Sequence, residues 1–392
     1  MRKLGKWLAI VLVWVLVTAL LLEIGLRFAA PLLPGRFQVG IQYVLTGERY
    51  QTNKVEFMMT DSEHGYVLLP DLESVTQAIS PEISIQFSTH TLWGSRFGFR
   101  TRPVDYLVEV VVVGDSFSFC FTAYEDCWVR KFEVETGLGT VNLAQPGTAS
   151  VSHWRMIDTF AKPLAPRLVL WQFFGNDFNE DYGFAVERGE IEPMGDEVDT
   201  LEQPLDDSLA GWLRAHSVAF AVLDIALGND WAYMTDYQRL FVEPYQVKVG
   251  DGLLKFGESY EQQVMNMDDP RNRSGLPFTR ESLSKAKAAV EEWGGTLAVI
   301  LIPTREEVYA DLTVPIMGQE SLERLSGPRK TMLALCDELE VLCFDPLPLL
   351  QDYARQGQLL YYTDDLHLNP LGNAVLSPLV WKWLGGHGLL YQ

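Results

Sequence analysis

The chain opens on a long apolar stretch and changes pattern twice after it. No charged residue occurs from Trp7 to Leu22, and apolar character resumes after Glu23 through Ile24, Leu26, Phe28, Ala29 and Ala30, before Pro31 and Pro34. Such a run approaches the about 20 residues that span a bilayer. From 31 to 105 the pattern is mixed, with apolar and polar positions alternating at Ile83-Ser84-Ile85-Gln86-Phe87-Ser88, a strand signal. From Tyr106 onward, short β-branched runs alternate with helical stretches. The spacing predicts a strand to Val113, a helix over 128–135, a strand over 140–143, a helix over 152–160 and a strand over 168–174. Alternating strands and helices imply a parallel sheet covered on both faces.

That pattern breaks after 176. Residues 177 to 207 hold twelve Asp or Glu against the single Arg188, with Gly183, Gly189, Gly195, Pro193 and Pro204. The composition predicts a solvated loop; a calcium site is the alternative reading of the same acids, though no EF-hand-like spacing occurs. Residues 208–227 predict one helix, and 236–275 a second irregular insert with a hairpin turn at Asp251-Gly252. Regular structure returns at Thr279, read as the N-cap of a helix reaching Trp293, then a strand over 296–302. A helix ending near Leu339, a strand over 341–344 and a last helix after Pro370 complete the pattern. The expected organisation is therefore 1–30 basic start and anchor, 31–105 a small β-rich preface, 106–178 and 278–390 one α/β domain, and 179–277 an insertion.

Charge and compartment refine this picture. Arg2, Lys3 and Lys6 precede the apolar run, so the positive-inside rule leaves the N-terminus in the cytoplasm and places the rest outside. A cleaved signal peptide ending at Phe28-Ala29-Ala30 is the alternative; the apolar segment exceeds the ~7–15 residues of a signal core, which favours a retained single-pass anchor in a bacterial cell membrane with an extracytoplasmic body. Glu23 and Arg27, four apart, pair on one helical face. A net charge of -21 argues against nucleic acid as a partner. The four cysteines fall as Cys120 with Cys127 and Cys336 with Cys343. On one helix such partners lie about 10.5 Å apart, beyond the about 7 Å that a bridge allows, so a disulfide needs a turn between them. Residues 121–126 are compatible with a loop, and Cys336 to Cys343 with a helix end joined to a strand; four buried thiols remain the alternative. No Cys/His spacing suggests a metal site.

The candidate chemistry starts at Val110-Val111-Val112-Val113-Gly114-Asp115-Ser116-Phe117. Four valines read as a strand buried on both faces, and Gly114 permits a tight turn at its carboxyl end, where ligands bind in open α/β sheets. Ser116 is the candidate nucleophile there, and a plain turn after a core strand is the competing reading. Downstream lie Asn142-Leu143-Ala144-Gln145-Pro146-Gly147, Leu168-Val169-Leu170-Trp171-Gln172-Phe173-Phe174-Gly175-Asn176-Asp177, and Asp364-Asp365-Leu366-His367. In this order the four stretches resemble the blocks of the SGNH (GDSL-type) hydrolase superfamily.

The resemblance implies a three-layer α/β/α, flavodoxin-like parallel sheet and a serine esterase without metal or organic cofactor. It assigns Ser116 as nucleophile, His367 as general base and Asp364, through the Asp-x-x-His spacing, as the acid that orients His367. It also implies an oxyanion hole from the backbone N–H groups of Ser116 and Gly147 and the side chain of Asn176. Gly114, Asp115 and Asp177 support these loops. Asp365, two positions before His367, is expected to be exposed or bound to backbone. His64, His90, His153, His216 and His387 read as structural, and Ser118 and Ser217 as non-catalytic. Phe117 stands where many relatives have leucine, and Phe174 where many have glycine. The segment Phe97-Gly98-Phe99-Arg100 resembles an element found in membrane-anchored relatives and is expected to be structural. The implied substrates are O-acyl esters, acetyl foremost, on envelope or extracellular glycans, or other small esters. The alternatives are an O-acyltransferase with the same triad and a catalytically inactive binding or assembly subunit.

Overall fold

The computed structural model describes residues 2–33, 35–47, 57–80, 82–194, 208–233 and 240–390. The chain forms two compact units, Met1–Glu56 with Glu197–Val242, and Phe57–Asp196 with Glu243–Gln392.

The second unit holds two small antiparallel pairs before the main sheet, β1 (Met58–Asp61) with β2 (Gly65–Leu68) and β3 (Val75–Ala78) with β4 (Ser84–Phe87). The main sheet strands are β5 (Val110–Val113), β6 (Thr140–Asn142) and β7 (Leu168–Phe173). After a hairpin of β8 (Tyr245–Val249) and β9 (Gly252–Phe256) come β10 (Thr296–Leu301) and β11 (Leu342–Phe344). The five sheet strands run in the order β11-β10-β7-β5-β6, and every pairing is parallel. β5, the valine run, is therefore flanked on both sides, which is why it carries no polar alternation.

Side chains alternate between the two faces with the period of a strand. Val110, Val112, Leu168, Leu170, Ala298 and Ile300 pack with Trp128, Phe132, Leu376 and Val380 of helices Trp128–Thr136 and Pro370–Gly386. Val111, Val113, Val169, Trp171, Val299 and Leu301 pack with Leu283, Val290 and Met332 of helices Pro270–Glu292 and Gly327–Glu338. Helices on both faces of a parallel sheet make three layers, as the alternation predicts. Because all strands run one way, the segments after β5, β6 and β7 emerge side by side at one edge.

Several sequence expectations are corrected. Residues 177–187 are a helix, not a solvated loop, with Asp177, Phe178, Asp181, Tyr182 and Ala185 buried at helical spacing. The acids hid an amphipathic pattern because some of them face inward. Of the rest of that acidic stretch, residues 188–194 are turn and irregular backbone, as expected, and 195–207 lie outside the described residues. Thr279 does not cap a helix: Asp269 caps it, with Pro270 at the first turn, and the helix runs through Pro277 to Glu292. The expected insertion boundary at 277/278 thus falls inside one helix, and the units divide at Asp196 and Glu243 instead. The preface is β-rich only from Phe57 onward, since Gly35–Thr46 is helical. Residues 48–56 lie outside the described set.

The described residues of the first unit are mainly helical. Arg2–Ala29 exposes Trp7, Trp14, Leu20 and Leu21. The single helix expected over 208–227 is two, Leu209–His216 and Val218–Ala226, broken at Ser217, whose hydroxyl accepts from Phe220 N–H. Glu23 accepts from Ser217 Oγ (2.8 Å) and from the N–H groups of Val218 (3.0 Å) and Ala219 (2.9 Å), and pairs with Arg27 at 2.7 Å. A carboxylate at a helix N-terminus satisfies donors that the helix itself leaves open. Taken over the described residues, no single helix is long and apolar enough to cross a membrane; Leu209–His216 and Val218–Ala226 qualify only together, bent by 112°.

Candidate active site

β5 ends where Gly114 turns into a short helix, Ser116–Phe119. Asp115 caps it, accepting from Phe117 N–H at 2.8 Å, and its own N–H donates to Gln172 Oε1 of β7 at 3.0 Å. A Cβ on residue 114 would lie 2.4 Å from that Gln172 oxygen, so the turn requires glycine. Ser116 stands at the first helical position, where the helix supplies no acceptor for its N–H.

The hydroxyl of Ser116 lies 2.7 Å from His367 Nε2, and His367 Nδ1 lies 2.6 Å from Asp365 Oδ1. The carboxylate against His367 is therefore that of Asp365 and not that of Asp364. Residues 363–367 form a bend rather than a helical turn, so the three-residue spacing does not bring Asp364 under the ring. Asp365 reaches it by also accepting the backbone N–H of His367 at 2.9 Å, a two-residue Asx turn. Burial opposes ionisation of Asp365, but the charge and hydrogen bonds of His367 hold its carboxyl below the ordinary range. Asp364 faces Lys255 Nζ at 3.7 Å, and its N–H donates to Glu82 Oε2.

The imidazole is clasped between Phe117 and Phe121, with ring centroids at 4.8 and 4.6 Å. Tyr362 donates its hydroxyl to Phe121 O at 2.8 Å, tying the histidine loop to the nucleophile segment. Arg100, buried, donates to the carbonyls of Phe119 (2.8 Å), Thr122 (2.6 Å) and Cys120. Burial lowers its guanidinium to about 10. It gathers the carbonyls where the nucleophile helix ends and Cys120 takes φ 63°. The Cys120–Cys127 disulfide closes the same segment, with α-carbons 5.4 Å apart across a turn, whereas Cys336 and Cys343 are free.

Gly147 and Asn176 follow β6 and β7, the two neighbours of β5, and so lie at the same carboxyl edge of the sheet as Ser116. Gln145 N–H donates to Gly114 O at 3.0 Å, joining the second block to the nucleophile turn. Gly147 has φ +67°, a left-handed backbone. The Asn176 amide nitrogen donates to Glu180 Oε1 at 2.7 Å, which uses one of its two hydrogens and leaves the second. Burial, with Asp115 and Asp181 nearby, raises the Glu180 carboxyl well above its ordinary value. Asp177 is raised likewise by burial and by the charges of Asp115, Asp181 and Glu180, and burial pushes Asp115 to about 6 and Asp181 to about 7. These buried acids hold their protons more tightly than exposed carboxyls do. Burial lowers His153, against Trp171, to about 3, so it is a neutral core residue.

Sequence reasoning placed Asp364 rather than Asp365 against His367, although it expected Asp365 to meet backbone, as it does at His367 N–H. It read the element holding Arg100 as structural without the carbonyls that Arg100 binds, and it missed Glu180 as the partner of Asn176, whose signal was its position four residues further on. Among the described residues no group of three His, Cys, Asp or Glu side chains could hold a metal ion.

No protein-family model and no curated protein matches the chain. Solved structures do. LAE5, an α/β hydrolase enzyme from the metagenome of Lake Arreo, is 12% identical, with 72% of this chain and 96% of that one covered and a TM-score of 0.37. A catalytic mutant of Axe2, an acetylxylan esterase from Geobacillus stearothermophilus, is 9% identical over 70% and 92%, at 0.35. The acetyl xylan esterase AlAXEase is 8% identical over 70% and 99%, at 0.38. At these scores the likeness carries no weight for function, which rests on the site.

Proposed function

We propose that this chain is an SGNH-type serine esterase that cleaves O-acyl esters through an acyl-enzyme on Ser116. The observation that carries the proposal is the continuous hydrogen-bonded array Ser116–His367–Asp365 at the carboxyl end of a parallel sheet. A serine hydroxyl is a weak nucleophile, and a neutral imidazole whose Nδ1–H is held by a carboxylate is the base that activates it. His367 Nε2 takes the Ser116 proton as the hydroxyl attacks the ester carbonyl, then returns it to the leaving alcohol; water repeats the sequence to release the acid. The oxyanion would meet the N–H groups of Ser116 and Gly147 and the remaining amide hydrogen of Asn176, donors fixed before reaction.

The finer reading is an enzyme held at a membrane through its N-terminal apolar segment, with the catalytic unit outside the cytoplasm, acting on acetylated envelope or extracellular glycans. The uncharged run Trp7–Leu22, its preceding basic residues and the Cys120–Cys127 disulfide support that compartment, since disulfides persist in oxidising surroundings. Hydrolysis of p-nitrophenyl acetate by wild type, Ser116→Ala and His367→Ala tests the esterase. Turnover lost in both variants supports it, and turnover retained in either overturns it.

A further inference from the structure

Gly147 has an aromatic neighbour that comes from the small β-pair preceding the main sheet. A Cβ placed on Gly147 would meet a single group within 4 Å among the described residues, Tyr66 Cδ2 at 3.7 Å. Tyr66 lies on β2, and although β2 ends in a buried Val67 and Leu68, Tyr66 remains 45% exposed. Its place is fixed by hydrogen bonds rather than by burial of its ring. Leu68 N–H donates to Gln145 Oε1 at 2.8 Å, and Gln145 Nε2 donates to Gly98 O at 3.2 Å. Gln145 is two residues before Gly147, so one side chain binds the β-pair, the Gly-Phe-Arg element and the oxyanion loop together. Gly98 belongs to this join: a Cβ there would lie 2.1 Å from Leu69 O.

We propose that Tyr66 is a specificity residue of the esterase, presenting its ring to the face of a pyranose that carries the acyl group cleaved at Ser116. The proposal rests on the esterase reading above and extends it to the substrate. A tyrosine ring combines a flat apolar face with low conformational freedom, which suits a sugar whose C–H groups form an apolar face and whose hydroxyls point outward. On this proposal the ring meets the alcohol part of the substrate and not its reacting carbonyl. Its binding energy therefore enters ground state and transition state alike and shows in KM rather than kcat.

The test compares glucose pentaacetate with vinyl acetate, which lacks any ring, using the full chain and its Tyr66→Ala, Tyr66→Phe and Tyr66→Trp variants. Tyr66→Ala is expected to raise KM for glucose pentaacetate about fivefold with kcat held, and to leave vinyl acetate kinetics unchanged. Tyr66→Phe and Tyr66→Trp should keep the wild-type KM, because the ring and not the hydroxyl is used. Equal effects on both esters would mark a structural role and overturn the proposal, as would no effect on either. Wild-type turnover of vinyl acetate without turnover of the sugar ester rejects the pyranose while leaving the esterase standing. Loss of both in wild type removes the esterase and the proposal with it.

Discussion

Asp365 Oδ1 accepts two hydrogen bonds from His367, one from the ring Nδ1 at 2.6 Å and one from the backbone N–H at 2.9 Å. The second fixes the carboxylate in a turn, so the first is aimed without a helix or a partner strand. The pairing selects the tautomer in which Nε2 accepts from Ser116.

Asp365→Asn is therefore expected to lower kcat by about 10³–10⁴ with little change in KM, because the amide favours the wrong tautomer. Asp364→Asn, which alters a group directed to Lys255 and Glu82, should stay within about threefold of wild type, a factor worth less than 1 kcal/mol. Steady-state kinetics on p-nitrophenyl acetate separates the two. Equal losses would place the orienting role on both acids.

Asn176→Ala removes the proposed side-chain oxyanion donor and should cost about 10² in kcat with KM nearly unchanged. Glu180→Gln keeps an acceptor for the Asn176 amide without a titrating proton and should retain most activity. A severe loss in Glu180→Gln at unchanged stability would show that the acid itself acts in the reaction.

The buried acids predict a pH dependence of stability. Burial raises Asp181 from its ordinary 3.8 to about 7 in the folded state, so the folded chain binds more protons than the unfolded chain between those values. Its contribution is fully present below about pH 4 and is lost as pH rises through about 7. Asp181→Asn can still accept from Val151 N–H and donate to Thr279 Oγ, two of the groups that Asp181 meets now. The variant should gain stability relative to wild type at pH 8 and not at pH 4, by up to about 4 kcal/mol. Urea unfolding midpoints at the two pH values measure this difference, and an equal shift at both would contradict it.

Arg100→Lys should destabilise the chain by about 2–3 kcal/mol and depress activity, since an ammonium cannot span the Phe119, Cys120 and Thr122 carbonyls that the planar guanidinium reaches. Thermal unfolding together with kinetics checks both. Unchanged stability would remove Arg100 from the support of the nucleophile turn.

The sheet was legible because four of its five strands are apolar runs whose periodicity needs no tertiary knowledge, β5 above all. Ser116 and His367 were legible because glycine, turn chemistry and block order constrain them together. Asp365 was not, because two adjacent acids differ only in which one the bend turns inward. The helix over 177–187 was hidden by its charge. Asp177, Glu180 and Asp181 read as solvated, yet burial and mutual proximity raise their affinity for protons, so they are tolerated inside. The start of the helix at Pro270 was masked by Pro277, which reads as a breaker but is accommodated within it.

The account stands most directly on the identity of the acylated atom. Rapid quenching of the full chain with p-nitrophenyl acetate, followed by peptide mass mapping, should find one acetyl group on Ser116, absent in Ser116→Ala and accumulating far more slowly in His367→Ala. Acetylation elsewhere with Ser116 unmodified, or ester turnover that persists in Ser116→Ala, would contradict it.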